Sequence, residues 1–150
     1  MRFQKVLIDG GSALNILFTG SLAELMLIKE DLTPVDSPLW GIILKKAPQP
    51  LRQITLSVQF STTEHFCIDY VNFLVVDFNT AYHDILGRPA LAKFMAVPHY
   101  TYLVLKMPME QGILSLRTNL SIAYACEKDS FRIAEATDIS IRMQDCLATS

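Results

Sequence analysis

Positive charge is not in excess in this chain: thirteen Lys and Arg stand against fifteen Asp and Glu, a net charge of -2. Without a bulk basic field there is nothing to draw in nucleic acid or anionic lipid, and neither is expected as a partner. Cysteine is scarce, with only Cys67, Cys126 and Cys146. An odd number of distant cysteines, with no CxxC pair and no Cys/His cluster of zinc spacing, predicts no disulfide framework, no metal and no cofactor. It fits a reduced intracellular, cytoplasmic setting. Long apolar runs are missing as well: those around Ile16 to Phe18 and Phe73 to Val76 stop far short of the roughly 20 residues that a membrane helix needs. The start, Met1-Arg2-Phe3-Gln4-Lys5, leads straight into a strand-like run rather than into the apolar stretch and small-residue cleavage site of a secretory signal. Neither a solenoid-type repeat nor a low-complexity segment is present. What the chain does have is apolar residues, 51% of its 150 positions against 19% charged. That balance excludes disorder over the whole length and fits one domain with a tail.

The order of elements follows from pattern and punctuation. Phe3 to Ile8 reads as a strand stopped by Asp9-Gly10-Gly11-Ser12, so an acidic residue is delivered into a glycine turn. Ala13 to Phe18 reads as a second strand, and Leu22, Leu25 and Met26 at helical spacing predict a short helix over Ser21 to Ile28. Two prolines and three acids make Lys29 to Pro38 a surface loop. Leu39 to Lys45 and Leu51 to Phe60 then flank the turn-like Lys46-Ala47-Pro48-Gln49-Pro50 as a hairpin. Ile54, Leu56, Val58 and Phe60 alternate with Thr55, Ser57 and Gln59, the period of a strand with one buried face. Phe66 to Phe78 should follow as a central strand, apolar on both faces from Phe73 to Val76. After Ile85-Leu86-Gly87, Pro89 is well placed to open a helix reaching about Met95. Two strands, Tyr102 to Met107 and Ile113 to Arg117, close a β-rich domain over 1–117, and residues 118–150 read as a connector or tail that is partly helical. Leu22, Leu25, Ile54, Leu56, Val58, Val75, Leu86, Leu103 and Leu105 are expected in one core.

Asp9 is the first candidate for chemistry. A carboxylate at a strand end, followed by two glycines, sits on backbone that can turn sharply and offer N–H groups to its oxygens. Taken alone, Asp-Gly-Gly-Ser is also an ordinary turn. A serine-hydrolase reading of Ser12 with His99 or His65 lacks the Gly-x-Ser-x-Gly elbow, and a hydroxyl bonded within its own turn explains Ser12 better. Phosphate binding at Gly10-Gly11 is disfavoured by the charge of Asp9 and by the lack of a following Lys-Ser/Thr. Cys67 reads as a small buried hydrophobe, His99 as a packed or surface histidine, and Asp77, Asp84 and Arg88 as polar contacts around the turn.

A second motif lies far downstream. Val6-Leu7-Ile8-Asp9-Gly10-Gly11-Ser12-Ala13-Leu14-Asn15-Ile16-Leu17, Tyr82-His83-Asp84-Ile85-Leu86-Gly87-Arg88-Pro89-Ala90-Leu91 and Pro98-His99-Tyr100-Thr101-Tyr102-Leu103-Val104-Leu105-Lys106-Met107-Pro108 together resemble the retropepsin-like aspartic protease domain of plant gypsy-type LTR retrotransposon polyproteins. The resemblance spans roughly Lys5 to Arg117. It implies a mainly β fold, a closed β-barrel with one short helix after the psi loop. It further implies Asp9 as the catalytic residue, Gly10, Gly11 and Ser12 as the active-site loop, Ile85, Leu86 and Gly87 as the psi-loop strand, and Gly41, Ile42 and Ile43 in a flap. The family's chemistry uses two carboxylates, one taking a proton from water while the other donates to the scissile carbonyl. One Asp-Gly-Gly loop per chain therefore implies a homodimer acting on a polypeptide substrate. Departures are visible. Ile42-Ile43-Leu44-Lys45-Lys46 follows Gly41 where a second flap glycine is usual, Arg52 replaces a common glycine, and the strand and hairpin that the family places ahead of the catalytic strand are missing, so the domain is expected to be N-terminally truncated. Two functions follow from the same fold: an endopeptidase domain that cuts a retrotransposon polyprotein, or a catalytically silent relic that serves as a dimerisation or interaction module.

Overall fold

The computed structural model describes residues 2–35 and 51–133. Strands β1 (Val6–Ile8), β2 (Ile16–Phe18), β3 (Thr33–Pro34), β4 (Arg52–Ser61), β5 (Phe66–Val76) and β6 (Asp84–Leu86) form a six-stranded sheet in the order β1-β6-β2-β5-β4-β3. Strands β7 (Val97–His99), β8 (Val104–Met109) and β9 (Gly112–Arg117) form a second, antiparallel sheet. Helix α1 (Arg88–Lys93) follows β6 directly, with Pro89 in its first turn, and residues 120–133 form a second helix, α2. The architecture is mainly β, as expected, with a short helix directly after β6. The two sheets share a core without joining into a closed barrel among the described residues.

The long hairpin of β4 and β5 is the most regular part, paired without interruption from Arg52↔Val75 to Ser61↔Phe66. Alternation along β4 turns Ile54, Leu56, Val58 and Phe60 to the core, where they are half-buried. β5 lies between β4 and β2, so its second half has no solvent edge, and Phe73, Leu74 and Val75 are all buried. The core joins both sheets: Leu17, Val71, Phe73 and Leu86 meet Leu105, Met107 and Leu114, with Leu91 and Phe94 of α1 alongside. Leu22, Val75, Leu86 and Leu105 belong to it as expected, and Leu25, Ile54, Leu56 and Val58 pack against it.

Three local expectations need correction. Ser21 to Ile28 is not a helix but a 3-10 turn at Thr19–Ser21 that runs into a single turn closed by two bonds, Met26 N–H to Ala23 O and Leu27 N–H to Leu22 O. That pair of bonds is a Schellman stop, with Met26 at φ 55 in the left-handed position normally given to glycine. Leu103 is 40% exposed rather than buried, because its φ of 53 places it in a turn just before β8 begins at Val104. The segment Lys29 to Pro38 contributes a 3-10 turn and β3, which pairs with β4 through Thr33↔Gln53 and Pro34↔Arg52. The first arm of the expected hairpin, its turn, and the flap residues Gly41, Ile42 and Ile43 lie outside the described residues.

Beyond β9, Asn119 caps α2 by accepting the Ile122 N–H on its side-chain oxygen at 3.2 Å. The helix meets the domain through buried Cys126, whose thiol lies 3.9 Å from the Ala81 carbonyl. Burial beside this helix, reinforced by Cys126 and Glu127, raises the pKa of the Tyr82 phenol. Residues 134–150, including Ala134, Ile141 and Met143, lie outside the described residues.

The β6 strand adds a fully enclosed leucine to this core. Leu86 is 2% exposed within the shared core. Its replacement by Ala is expected to lower stability by about 2–5 kcal/mol, measured as a fall in the urea midpoint; an unchanged midpoint would remove β6 from the core.

Candidate active site

The site is built by a crossing of strands. β1 pairs in parallel with β6, and β6 pairs antiparallel with β2, so β6 lies between two strands that are joined by the loop carrying residues 9–15. The chain after β6 must leave through that loop. At Gly87 an added Cβ would overlap the Leu14 carbonyl oxygen and stand 2.8 Å from the Ser12 carbonyl oxygen. Glycine is thus required by space, since any side chain would collide with backbone that cannot rotate away.

Around this crossing the loop is held by direct bonds. The Asp9 N–H donates to the Leu86 carbonyl at 3.0 Å, and the Arg88 N–H donates to the Ser12 carbonyl at 2.8 Å, so β6 and the start of α1 grip both ends of the turn. The Ser12 N–H donates to the Asp9 carbonyl at 3.1 Å, and the Gly11 N–H donates to Asp9 Oδ1 at 2.9 Å. A carboxylate at a strand end that accepts from its own turn is fixed in direction while remaining half-buried and reachable. The Ser12 hydroxyl donates to the Leu14 carbonyl at 2.8 Å and accepts the Leu14 N–H at 3.2 Å, the within-turn role expected for it.

Two residues central to this arrangement are given no individual role by the sequence. Asn15 is buried, and its Oδ1 accepts the N–H groups of Gly87 at 3.0 Å and Ala90 at 3.3 Å, while its Nδ2 donates to the Asn72 carbonyl at 3.1 Å. One amide thereby ties the loop to the crossing, to α1 and to β5. Its signal was a lone amide between Leu14 and Ile16 in an apolar run. Tyr100 follows β7 and accepts the Gly10 N–H on its hydroxyl at 2.8 Å.

The structure thus assembles Asp9, Gly10, Gly11 and Ser12 with Ile85, Leu86 and Gly87 in one crossing. Of the other polar candidates, Asp77 accepts from the Thr19 hydroxyl at 2.8 Å, and Arg88 contributes its backbone. His99 accepts the Tyr102 N–H on Nδ1 at 3.1 Å and stacks on the Tyr102 ring. Cys67 is half-buried, with its sulfur 4.0 Å from the Pro108 carbonyl. No group of three or more His, Cys, Asp or Glu is placed to hold a metal ion among the described residues.

Against known proteins, the chain is similar in structure to the retroviral protease-like domain of Ddi1 from Leishmania major, with a TM-score of 0.47 and 13% identity over 76% of this chain and 86% of that one. No protein-family model and no curated protein matches it.

Asp84 departs from its expected role as a polar contact. It is 3% exposed, its Oδ1 has no hydrogen-bond partner among the described residues, and by strand alternation it shares a face with Leu86. Burial pushes its pKa from 3.8 up to about 7. In the unfolded chain Asp84 ionises near its ordinary value, whereas in the folded chain it stays protonated until about pH 7. The contribution of Asp84 to stability should therefore be greatest below pH 4, fall as the pH rises toward 7, and level off above it, with a total change of up to about 4 kcal/mol. Asp84→Asn should flatten this profile and unfold at a higher midpoint than the parent protein at pH 8; parallel profiles would assign the pH dependence to another group.

Proposed function

We propose that this chain is an aspartic endopeptidase domain that hydrolyses peptide bonds of a plant gypsy-type retrotransposon polyprotein in the cytoplasm, acting as a homodimer. The observation that carries the reading is the Asp9 carboxylate, held at the end of β1 by its own Gly11 N–H and by the passage of Gly87 through the loop behind it. Such a loop presents an acid with little freedom to reorient, which is what proton transfer to and from a reacting group requires.

Peptide hydrolysis needs two such acids. In the proposed mechanism, one ionised Asp9 takes a proton from water as the water oxygen attacks the scissile carbonyl carbon. The other Asp9, protonated, donates to the carbonyl oxygen, giving a neutral tetrahedral diol. Its collapse breaks the C–N bond, and a proton passes to the departing amine. The second carboxyl comes from a second copy of the chain across a two-fold axis, since the sequence contains a single Asp-Gly-Gly. Gly41, Ile42 and Ile43 are assigned to the flap that covers the peptide. The 1–117 segment is the protease unit and 118–150 the connector.

Cleavage by the 150-residue chain is expected to depend on the Asp9 carboxyl of both copies. Asp9→Asn should abolish cleavage while leaving the sedimentation of the protein unchanged. Cleavage by that variant would falsify this mechanism. Dimerisation without cleavage in the parent protein would instead assign the chain to the silent interaction module that shares the fold.

A further inference from the structure

Asp9 is flanked by two peptide groups, and different parts of the fold hold them. The one before it is held by β6, through the Asp9 N–H and the Leu86 carbonyl. The one after it carries the Gly10 N–H, which is bonded to the hydroxyl of Tyr100, 90 positions away, at 2.8 Å. Tyr100 is 57% exposed, so core packing does not explain its position. Its place is set by the turn on which it stands. That turn is braced by the Tyr102 N–H on His99 Nδ1, by the stacked His99 and Tyr102 rings at 4.4 Å, and by the Thr118 N–H on the Leu103 carbonyl at 3.0 Å.

Gly10 provides an independent sign that the two residues are fitted to each other. It is not among the residues with positive φ, so backbone conformation does not demand glycine there. Space favours it: an added Cβ would lie 3.0 Å from the Tyr100 hydroxyl oxygen, and the next atom, Leu91 Cδ1, is 3.9 Å away. Among the described residues, and apart from its chain neighbours Asp9 and Gly11, no other heavy atom lies within 4 Å, the rest of the tyrosine ring included. The hydroxyl is therefore the group that a side chain at position 10 would have to push aside, and it is the same hydroxyl that accepts the Gly10 N–H.

We propose that Tyr100 is a positioning residue for Asp9: its hydroxyl fixes the peptide that follows the carboxylate and crowds any side chain at position 10. Its consequence for turnover rests on the peptidase reading above; the coupling between the two residues does not.

A double-mutant cycle of Gly10→Ala and Tyr100→Phe in the 150-residue chain tests this, read first by amide hydrogen exchange and thermal midpoint. Tyr100→Phe removes the acceptor but keeps the ring, and the Gly10 amide should exchange about tenfold faster with the global midpoint nearly unchanged. Gly10→Ala alone should displace the loop and lower the midpoint. Adding Tyr100→Phe to it should recover most of that loss, because the only close contact of the new methyl group is gone. Strictly additive changes, or an unaltered Gly10 exchange rate in Tyr100→Phe, would overturn the proposal. Where the parent protein cleaves peptide, Tyr100→Phe should lower kcat severalfold with KM unchanged, since the hydroxyl positions the acid and does not bind substrate; a rise in KM alone would overturn it. A parent protein with no turnover would sink the peptidase reading and leave the exchange and stability cycle to decide on Tyr100.

Discussion

The passage of the chain through its own loop at Gly87 is the constraint on which the rest of this structure depends. With backbone carbonyls of Ser12 and Leu14 closing in on the glycine, β6 can sit between β1 and β2 only if position 87 has no side chain. Once it sits there, the Leu86 carbonyl is delivered to Asp9, the Arg88 N–H to Ser12, and Asn15 finds its partners on Gly87 and Ala90. The orientation of the acid is thus a consequence of strand order, set by backbone groups rather than by the carboxylate's own surroundings.

The polar groups near this crossing fall into two kinds. Asn15 is buried with both ends of its amide bonded, so it adds direction without leaving an unmet group in the core. Asp84 in β6 is buried with an oxygen that has no partner among the described residues, and burial keeps it neutral up to about pH 7. A fixed amide and an unsatisfied acid within one strand crossing show that satisfaction, more than burial, decides whether a polar side chain supports the fold.

Much of this was legible in the sequence where the signal was short-range. Asp9-Gly10-Gly11-Ser12 and Ile85-Leu86-Gly87 were recognisable as strings of residues, and the alternation from Ile54 to Phe60 identified β4 because one face of it is buried. Leu22, Leu25 and Met26 misled because apolar spacing cannot distinguish one helical turn from two, and the stop signal was a methionine in a left-handed conformation where a glycine is the usual marker. Met95 ends α1 in the same way, with Met95 N–H to Ala92 O and Ala96 N–H to Leu91 O. Tyr100 and Asn15 were invisible for a different reason. Their partners lie 90 and 57 to 75 positions away, and no local pattern carries that information.

The order in which the strands pair also governs when the site can exist. β1 and the Asp9 loop are made well before β6 during synthesis, and the strand that locks them arrives only with Asp84 to Leu86, after the whole β4–β5 hairpin has been made. Closing so long a stretch of chain is entropically demanding, and contacts of this separation form late. A nascent chain therefore carries its acidic residue in an unformed loop until well over half of the domain has emerged, and the carboxylate acquires a fixed direction only when β6 docks between β1 and β2.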